Sequence, residues 1–367
     1  MRSSLAILAL LALVAACQAA PPASAPAVPP RATAPAAVAA TAAAAPTVPA
    51  ALETVRVGSI LNSSDAPFYL AQERGYLREV GLDMEITRFD GAQQAIAPLG
   101  ADQLDVAGGA PGPGLFNAIL RGVNVRIVTD RSRAVPGTRF NCMMVRKDLL
   151  DSGAVRSFAD FRGRTFGENV PGVITSYLLE RELKKVGLSP QDLTYTTLSF
   201  PDMLNAFANG IVDAGVEVEP FITLAEQRGI AQCWKPTSEL WPDFQIAVLL
   251  YGPTFAEQHN DAAKRFMVAY LRGVRDYYRA FFGDGQGKDE IMDLLTRITA
   301  VRDKALLERT APTWMDPNGS VTTDSLRAVQ QWYAERGDLT GELDLDRVVD
   351  LSYVDYALER LGRYTGP

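Results

Sequence analysis

Two carboxylates, Glu217 and Glu219, lie two positions apart at the end of a segment with the pattern of a β-strand. If the strand continues that far, both side chains share one face, because successive side chains of a strand point to opposite faces. A pair of carboxylates favours ligands that carry N–H and O–H donors, and it disfavours anions such as sulfonate or nitrate. The alternative is that both residues are solvated surface acids.

Hydroxyl groups are concentrated at the start of a predicted helix, at Thr175, Ser176 and Tyr177. Hydroxyls at this position can donate hydrogen bonds to a ligand. They can equally cap the helix by accepting from its free backbone N–H groups. Both interpretations remain open.

A loop of glycine and proline covers residues 108–114 and contains Gly109 and Gly112. Its residues carry little side-chain bulk, so a ligand can approach the backbone closely. An ordinary turn is the alternative.

Aromatic side chains are the remaining candidates, namely Phe68, Tyr69, Tyr177 and Trp241. Such rings can stack on a flat ring system, which adds about 0.5–1.5 kcal/mol to the burial of area. Together with the polar groups they indicate a planar heterocycle with polar substituents as the ligand. Phe68 has a strong alternative, since a residue just inside a helix often faces the core.

The elements that must position these residues form a repeat. Residues 80–82 read Val-Gly-Leu and are followed 25 positions later by Asp105, while residues 186–188 repeat the triplet and are followed by Asp213. A repeated strand–helix–strand unit predicts two similar lobes with a cleft between them. The alternative is that these short sequences are common at helix-to-strand junctions in any α/β protein.

Strands and helices alternate through both units, which predicts parallel sheets with right-handed crossovers. Strands are predicted near residues 55–60, 83–89, 104–107, 125–129, 165–167, 193–198 and 212–218. Segments 140–146 and 244–251 are predicted to cross between the lobes, and the helices after residue 251 to pack behind the first lobe. Asp65 is the predicted N-cap of a helix that opens at Ala66.

Ligands of such sheets bind beyond the carboxyl ends of the strands, beside helix N-termini. That rule selects loops 62–69, 90–94 and 108–114 in the first lobe and loops 169–177, 199–202 and 217–221 in the second. The complete predicted binding set is Ser64, Asp65, Phe68, Tyr69, Gln94, Gly109, Gly112, Asn169, Thr175, Ser176, Tyr177, Glu217, Glu219 and Trp241.

The first residues resemble a bacterial lipoprotein signal. An apolar run too short to span a bilayer ends at Val14-Ala15-Ala16-Cys17, which is similar to a lipobox. The predicted organisation is a signal peptide over residues 1–16, then a lipidated Cys17 and an Ala/Pro-rich tether over 17–52. The first lobe follows over 53–138 plus 252–367, and the second over 139–251. An ordinary signal peptide that happens to contain a cysteine is the alternative.

Composition and counts narrow the function. The net charge of -7 argues against nucleic acid as a partner. The single histidine, His259, cannot build a His-based triad or a multi-His metal site. The sequence also contains no G-x-S-x-G, G-x-x-x-x-G-K-[ST] or C-x-x-C motif, so we expect no enzyme, no metal and no cofactor. Cys142 and Cys233 are expected to be buried free thiols, with a disulfide as the alternative.

Several short blocks resemble a known family. Residues 65–71 (DAPFYLA), 75–77 (GYL), 80–82, 115–122 (LFNAILRG) and 157–163 (SFADFRG) are similar to the solute-binding proteins of ABC importers. The branch is the one that binds sulfonate, taurine, nitrate and thiamine precursors. The resemblance covers about residues 53–280.

The resemblance implies a type II periplasmic-binding-protein fold, an α/β protein of two doubly wound lobes joined by two crossovers around a ligand cleft. It also implies a small-molecule solute and a cognate permease. Together with the predicted lipidation of Cys17, this predicts an extracytoplasmic, lipid-anchored monomer. Among the solutes that it supplies, riboflavin is favoured, followed by the aminopyrimidine precursor of thiamine. A sulfonate, taurine or nitrate importer component and a ligand-sensing adaptor with the same fold are the alternatives. A related fungal-type branch makes the pyrimidine itself, but this chain lacks its cysteine-rich motif.

Overall fold

The computed structural model describes residues 51–89, 92–169, 171–299 and 301–366. The predicted signal peptide and Cys17 lie outside these residues, as does almost all of the predicted tether. Within the described part of the chain, no helix combines the length and the apolar character needed to cross a membrane.

The described residues form ten strands, and all but one of them overlap segments that the sequence pattern selects. They are β1 (Glu53–Ser59), β2 (Leu82–Arg88), β3 (Val106–Gly109), β4 (Arg126–Ala134), β5 (Asn141–Arg146), β6 (Thr165–Glu168), β7 (Thr194–Thr197), β8 (Ala214–Val218), β9 (Ala231–Pro236) and β10 (Phe244–Tyr251).

The helices separate the strands and then make up the C-terminal region. They are α1 (Ala66–Glu73), α2 (Tyr76–Glu79), α3 (Ile96–Gly100), α4 (Pro113–Leu120), α5 (Lys147–Asp151), α6 (Ile174–Lys185), α7 (Phe200–Ala208), α8 (Phe221–Gln227), α9 (Thr237–Leu240), α10 (Pro253–Glu257), α11 (Asn260–Phe282), α12 (Lys288–Ile298), α13 (Lys304–Leu307), α14 (Thr323–Glu335), α15 (Leu345–Val348) and α16 (Ser352–Leu361). Short 3-10 turns cover Ser63–Asp65, Ala92–Ala95, Phe158–Phe161 and Pro190–Asp192.

The strands form two sheets with the same internal order. The first sheet runs β2-β1-β3-β10-β4 and the second runs β7-β6-β8-β5-β9. In each sheet the first three strands are parallel, and the fourth runs antiparallel to its neighbours. The two sheets therefore repeat one arrangement, as the sequence repeat predicts.

Two features of this topology differ from the prediction. The sheets are mixed rather than parallel, because β5 and β10 each arrive from the other sheet and run antiparallel to their neighbours. β5 follows β4 through a loop, and β10 follows β9 after the 4 residues of α9. The sequence places residues 244–251 in the second lobe, whereas β10 pairs with β3 and β4 of the first sheet. We propose that each sheet and its helices form one lobe, with β10 in the first.

The C-terminal helices pack on the first sheet as expected, and one of them also reaches the second. α11 lies against α1 and α16, and there Phe68 is 1% exposed and its ring lies 5.2 Å from that of Tyr270. α14 contacts both β10 and α6. The C-terminal region is thus in contact with both halves of the fold.

A disulfide joins Cys142 of β5 to Cys233 of β9. The two strands are neighbours in the second sheet, and the Cα atoms lie 5.5 Å apart, a spacing that suits a disulfide. The expectation of free thiols is therefore wrong. The sequence pattern did not predict β9 as a strand, so it gave no reason to bring these residues together.

Candidate functional site

A cavity of about 740 Å³ opens where the parallel strands of both sheets end. The first sheet contributes residues 60–64, 92–94 and 109–112, which follow β1, β2 and β3. The second contributes residue 169, residues 173–175, residue 200 and residues 218–221, which follow or end β6, β7 and β8. This is the place at which ligands of α/β sheets bind, and the volume is in the range of small-molecule sites.

Half of the predicted binding residues line this cavity. Those in its wall are Ser64, Gln94, Gly109, Gly112, Asn169, Thr175 and Glu219. Those outside its wall are Asp65, Phe68, Tyr69, Ser176, Tyr177, Glu217 and Trp241. The side chains of the second set contact other side chains of the protein and do not face the cavity.

Asp65 occupies the predicted N-cap position of α1, but its carboxylate belongs to a buried ion pair. Its carboxylate pairs with the guanidinium of Arg131 and accepts hydrogen bonds from Ser59 Oγ at 2.8 Å and the Ile60 N–H at 3.0 Å. No capping bond from its side chain to α1 exists. Asn62 caps the preceding turn instead, because its Oδ1 accepts from the Ser64 N–H at 3.1 Å.

Arg131, which no sequence signal identifies, supplies the cation on the cavity wall. It lies on β4, and its side chain is 3% exposed. Gly108 makes room for it, since a Cβ at that position would lie 2.4 Å from Arg131 Nε. The glycines of loop 108–114 thus serve close packing of protein groups as well as the cavity wall.

Glu217 and Glu219 do not act as a pair. β8 ends at Val218, so Glu217 still points into the core of the second sheet, opposite Cys142 of β5. It is fully buried, its Oε1 has no hydrogen-bond partner, and burial raises its pKa to about 9. Glu219 follows the end of the strand and lies in the cavity wall.

The carboxylate of Glu219 is held by three donors. It accepts from the Thr223 N–H at 3.1 Å, from Thr223 Oγ1 at 3.0 Å and from the Ala311 N–H at 3.2 Å. Burial raises its pKa, and these hydrogen bonds act in the opposite direction. Glu219 therefore presents an acceptor whose position is fixed from two sides.

Of the hydroxyl residues at the start of α6, one lines the cavity and the other two contact protein side chains. Thr175 lines the cavity, whereas Ser176 Oγ donates to Glu168 Oε2 at 2.7 Å. The ring of Tyr177 lies 5.4 Å from that of Trp241 and 5.1 Å from that of Trp332. Tyr177 therefore packs α6 against α14 through Trp332, and Trp241 packs against Tyr177.

Tyr69 and Phe68 belong to the hydrophobic core around α1 and α11. The cavity nevertheless has aromatic walls, formed by residues that the sequence did not single out: Phe140, Phe200, Phe221, Tyr277, Phe281 and Tyr333. The rings of Phe200 and Phe221 are stacked, 6.3 Å apart and inclined by 24°. Both begin helices directly after strands, in loops that the strand-end rule selects.

The cavity wall carries few charged groups. Among its described lining residues, Arg131 and Glu219 carry the charges, and Arg131 is already paired with Asp65. Ser132 Oγ and Asn141 Oδ1 are buried without a partner in the same wall, and each can bond to a polar group of a ligand. In the part of the chain described, no group of three or more His, Cys, Asp or Glu side chains is placed to hold a metal ion.

A protein-family model described as NMT1/THI5 like matches residues 62–280, more than half of the chain. A Brucella abortus protein whose name describes it as a binding protein is 26% identical over 282 residues, covering 75% of this chain and 79% of its own.

Two solved structures are similar throughout. The periplasmic nitrate-binding protein of Synechocystis PCC 6803 aligns with a TM-score of 0.67 and 16% identity, over 85% of this chain and 89% of its own. The periplasmic aliphatic sulphonate binding protein of Escherichia coli aligns with a TM-score of 0.65 and 18% identity, over 83% and 99%. These similarities confirm the predicted periplasmic-binding-protein fold.

Proposed function

Because the chain belongs to the NMT1/THI5-like family, we propose that it is the solute-binding component of an ABC importer. In this role it captures a small molecule outside the cytoplasm and delivers it to a permease. The observation that carries the proposal is the cavity at the strand ends of both sheets, since closure of two such walls encloses a solute. The names of the similar nitrate- and sulphonate-binding proteins agree with this role.

The proposed solute is a small planar heterocycle with polar substituents. Phe200 and Phe221 offer aromatic surface, Glu219 offers a fixed acceptor, and the unpartnered Asn141 Oδ1 offers a second. Riboflavin is the first candidate, because its ring system and polyol match these groups, and the aminopyrimidine precursor of thiamine is the second.

A sulfonate, taurine or nitrate is the alternative solute, and the names of the similar structures favour it. The charges of the cavity favour a neutral solute instead. An anion in a desolvated site is stabilised by an unpaired cation or by converging N–H donors. The cation of the described cavity wall, Arg131, is already paired with Asp65.

A titration of the purified protein tests the choice between these solutes. Riboflavin is expected to lose fluorescence on binding with one site per chain, and the aminopyrimidine is expected to compete with it. Taurine and nitrate serve as the anionic comparison. The absence of quenching at micromolar protein would rule out riboflavin, and heat of binding for taurine or nitrate alone would support the anionic alternative.

Transport requires that the solute leaves unchanged and enters the cell. Mass analysis of the solute before and after incubation with the protein is expected to show no chemical change. Disruption of the gene is expected to abolish uptake of the labelled solute. Unaltered uptake together with a stable partner other than a permease would indicate a sensing adaptor instead.

The attachment of this protein to the membrane is proposed from the sequence, through a lipid on Cys17. A lipidated Cys17 followed by the tether would hold a monomer at the outer face of the cytoplasmic membrane. Cells fed with labelled palmitate are expected to label the wild type and not Cys17→Ser. Labelling of both variants, or release of the wild type into the medium, would contradict the anchor.

A further inference from the structure

One part of the cavity is formed by the C-terminal region rather than by loops at the strand ends. Its wall consists of Tyr277 and Phe281 of α11, Met292 and Leu295 of α12, and Val301 and Leu307 beyond them. None of these residues is in the predicted binding set, and none carries a formal charge. We refer to this part of the cavity as the apolar arm.

The apolar arm reaches into the hydrophobic core of the first sheet. Met292, Leu295 and Leu307 belong to the cluster that packs around α1 and α11, and each is less than 9% exposed. Space lined by core side chains forfeits packing contacts unless something fills it, and apolar cavities take up apolar molecules rather than water. The arm is continuous with the polar part of the cavity that contains Arg131 and Glu219.

We propose that the apolar arm is a subsite for an alkyl or aryl portion of the solute, whose polar portion lies at the strand ends. The solute is then an amphipathic organic molecule rather than a compact polar ion. This inference rests on the proposed function, because it describes a part of the solute that the cavity accepts. The small number of charged groups in the cavity wall supports it, since an apolar wall beside a paired Arg131 offers little to a small anion.

A neutral fluorescent probe tests the arm without knowledge of the solute. N-phenyl-1-naphthylamine is uncharged and fluoresces more strongly in apolar surroundings. We expect it to bind the full chain with one site. Adjacent leucines on α12 provide a matched pair, because Leu294 and Leu295 are both buried but only Leu295 lines the cavity.

Leu295→Phe narrows the arm and is expected to weaken probe binding at least tenfold, whereas Leu294→Phe changes the dissociation constant by less than threefold. Leu307→Phe and Leu306→Phe form a second matched pair, because both leucines are buried but only Leu307 lines the cavity. This pair still tests the arm if a variant of the first pair does not fold. Circular dichroism and the melting temperature establish that each measured variant is folded.

Three outcomes separate the inference from the proposed function. Absence of probe binding, or equal binding by all four variants, would overturn the arm. Riboflavin binding without probe binding would overturn the arm and leave the solute-binding function in place. Probe binding that both arm variants weaken, in a protein that binds neither riboflavin nor the anions, would support the arm and contradict the proposed solutes.

Discussion

The carboxylate of Glu219 accepts a hydrogen bond from the backbone N–H of Ala311 at 3.2 Å. Glu219 directly follows β8 of the second sheet, whereas Ala311 lies after α13 in the C-terminal region. Both residues line the cavity. The contact thus joins two walls of different origin at the place where the solute is proposed to bind.

Replacement of Glu219 by alanine is expected to loosen the segment around Ala311. A hydrogen bond to a charged group contributes about 1.5–3 kcal/mol, so the Ala311 amide should exchange with deuterium about tenfold faster or more. Glu219→Gln keeps an acceptor oxygen and should show a smaller effect. Glu226→Ala is the matched control, because Glu226 lies on α8 but bonds to Arg139 and Cys233 instead. Equal exchange in Glu219→Ala and the control would show that the contact does not hold the segment.

We expect the ion pair between Asp65 and Arg131 to stabilise the fold, and we expect Asp65 not to contact the solute. Asp65→Asn leaves the guanidinium of Arg131 buried without its counter-charge, which should lower the free energy of unfolding by about 3–5 kcal/mol. The double variant Asp65→Asn/Arg131→Met removes both charges and should recover part of that loss. Urea unfolding of the wild type, both single variants and the double variant measures the coupling. Strictly additive losses would contradict a direct interaction.

Glu217 is expected to make the stability of the protein depend on pH. Because burial raises its pKa from 4.5 to about 9, the folded protein holds a proton there that the unfolded chain releases. The stabilisation is fully present below pH 4.5 and is lost by about 1.4 kcal/mol per pH unit as the pH rises toward 9.

Glu217→Gln keeps the shape of the protonated acid without a titrating proton, so its stability should fall less steeply between pH 5 and 8. Urea unfolding at several pH values compares the slopes. Glu335→Gln removes one carboxylate from the exposed face of α14 and serves as the control. Identical slopes for the wild type and Glu217→Gln would show that Glu217 is not protonated in the folded state.

The disulfide is expected to support the second sheet without touching the solute. It closes a loop with a sequence separation of 91 residues, so its loss should lower the free energy of unfolding by about 2–5 kcal/mol. Neither cysteine lines the cavity, and riboflavin affinity should stay within threefold of the wild type in Cys142→Ser/Cys233→Ser. A large loss of riboflavin affinity in a folded double variant would show that solute binding requires the disulfide.

Local patterns predicted the elements well. The apolar spacing of residues 174–186 predicts a helix, and α6 covers Ile174–Lys185. The apolar run Phe244–Tyr251 is β10 residue for residue. Both predictions rest on the spacing of apolar residues along the chain, which can be read from a single sequence. The direction of β10 was not predictable, because it depends on which sheet the chain comes from.

The site was predictable only at the level of loops. The strand-end rule found the loop of Glu219 and that of Phe200, but it could not tell that Glu217 points into the core. β8 ends at Val218, so Glu217 lies inside the strand, Glu219 lies beyond it, and the two carboxylates do not share a strand face. Tyr277 and Leu295 line the cavity because α11 and α12 pack against parts of the fold that are distant in sequence. The local sequence does not predict that packing.

Native mass spectrometry of the protein purified gently from its own cells tests the central claim most directly. The account predicts one noncovalent adduct per chain, an uncharged organic molecule with a ring or alkyl portion. Ala110→Trp, which fills the cavity wall, should lack the adduct, whereas Ala101→Trp, at an exposed position after α3, should retain it. An adduct of sulfonate or nitrate, or one that Ala110→Trp keeps in full, would contradict a neutral solute bound in this cavity.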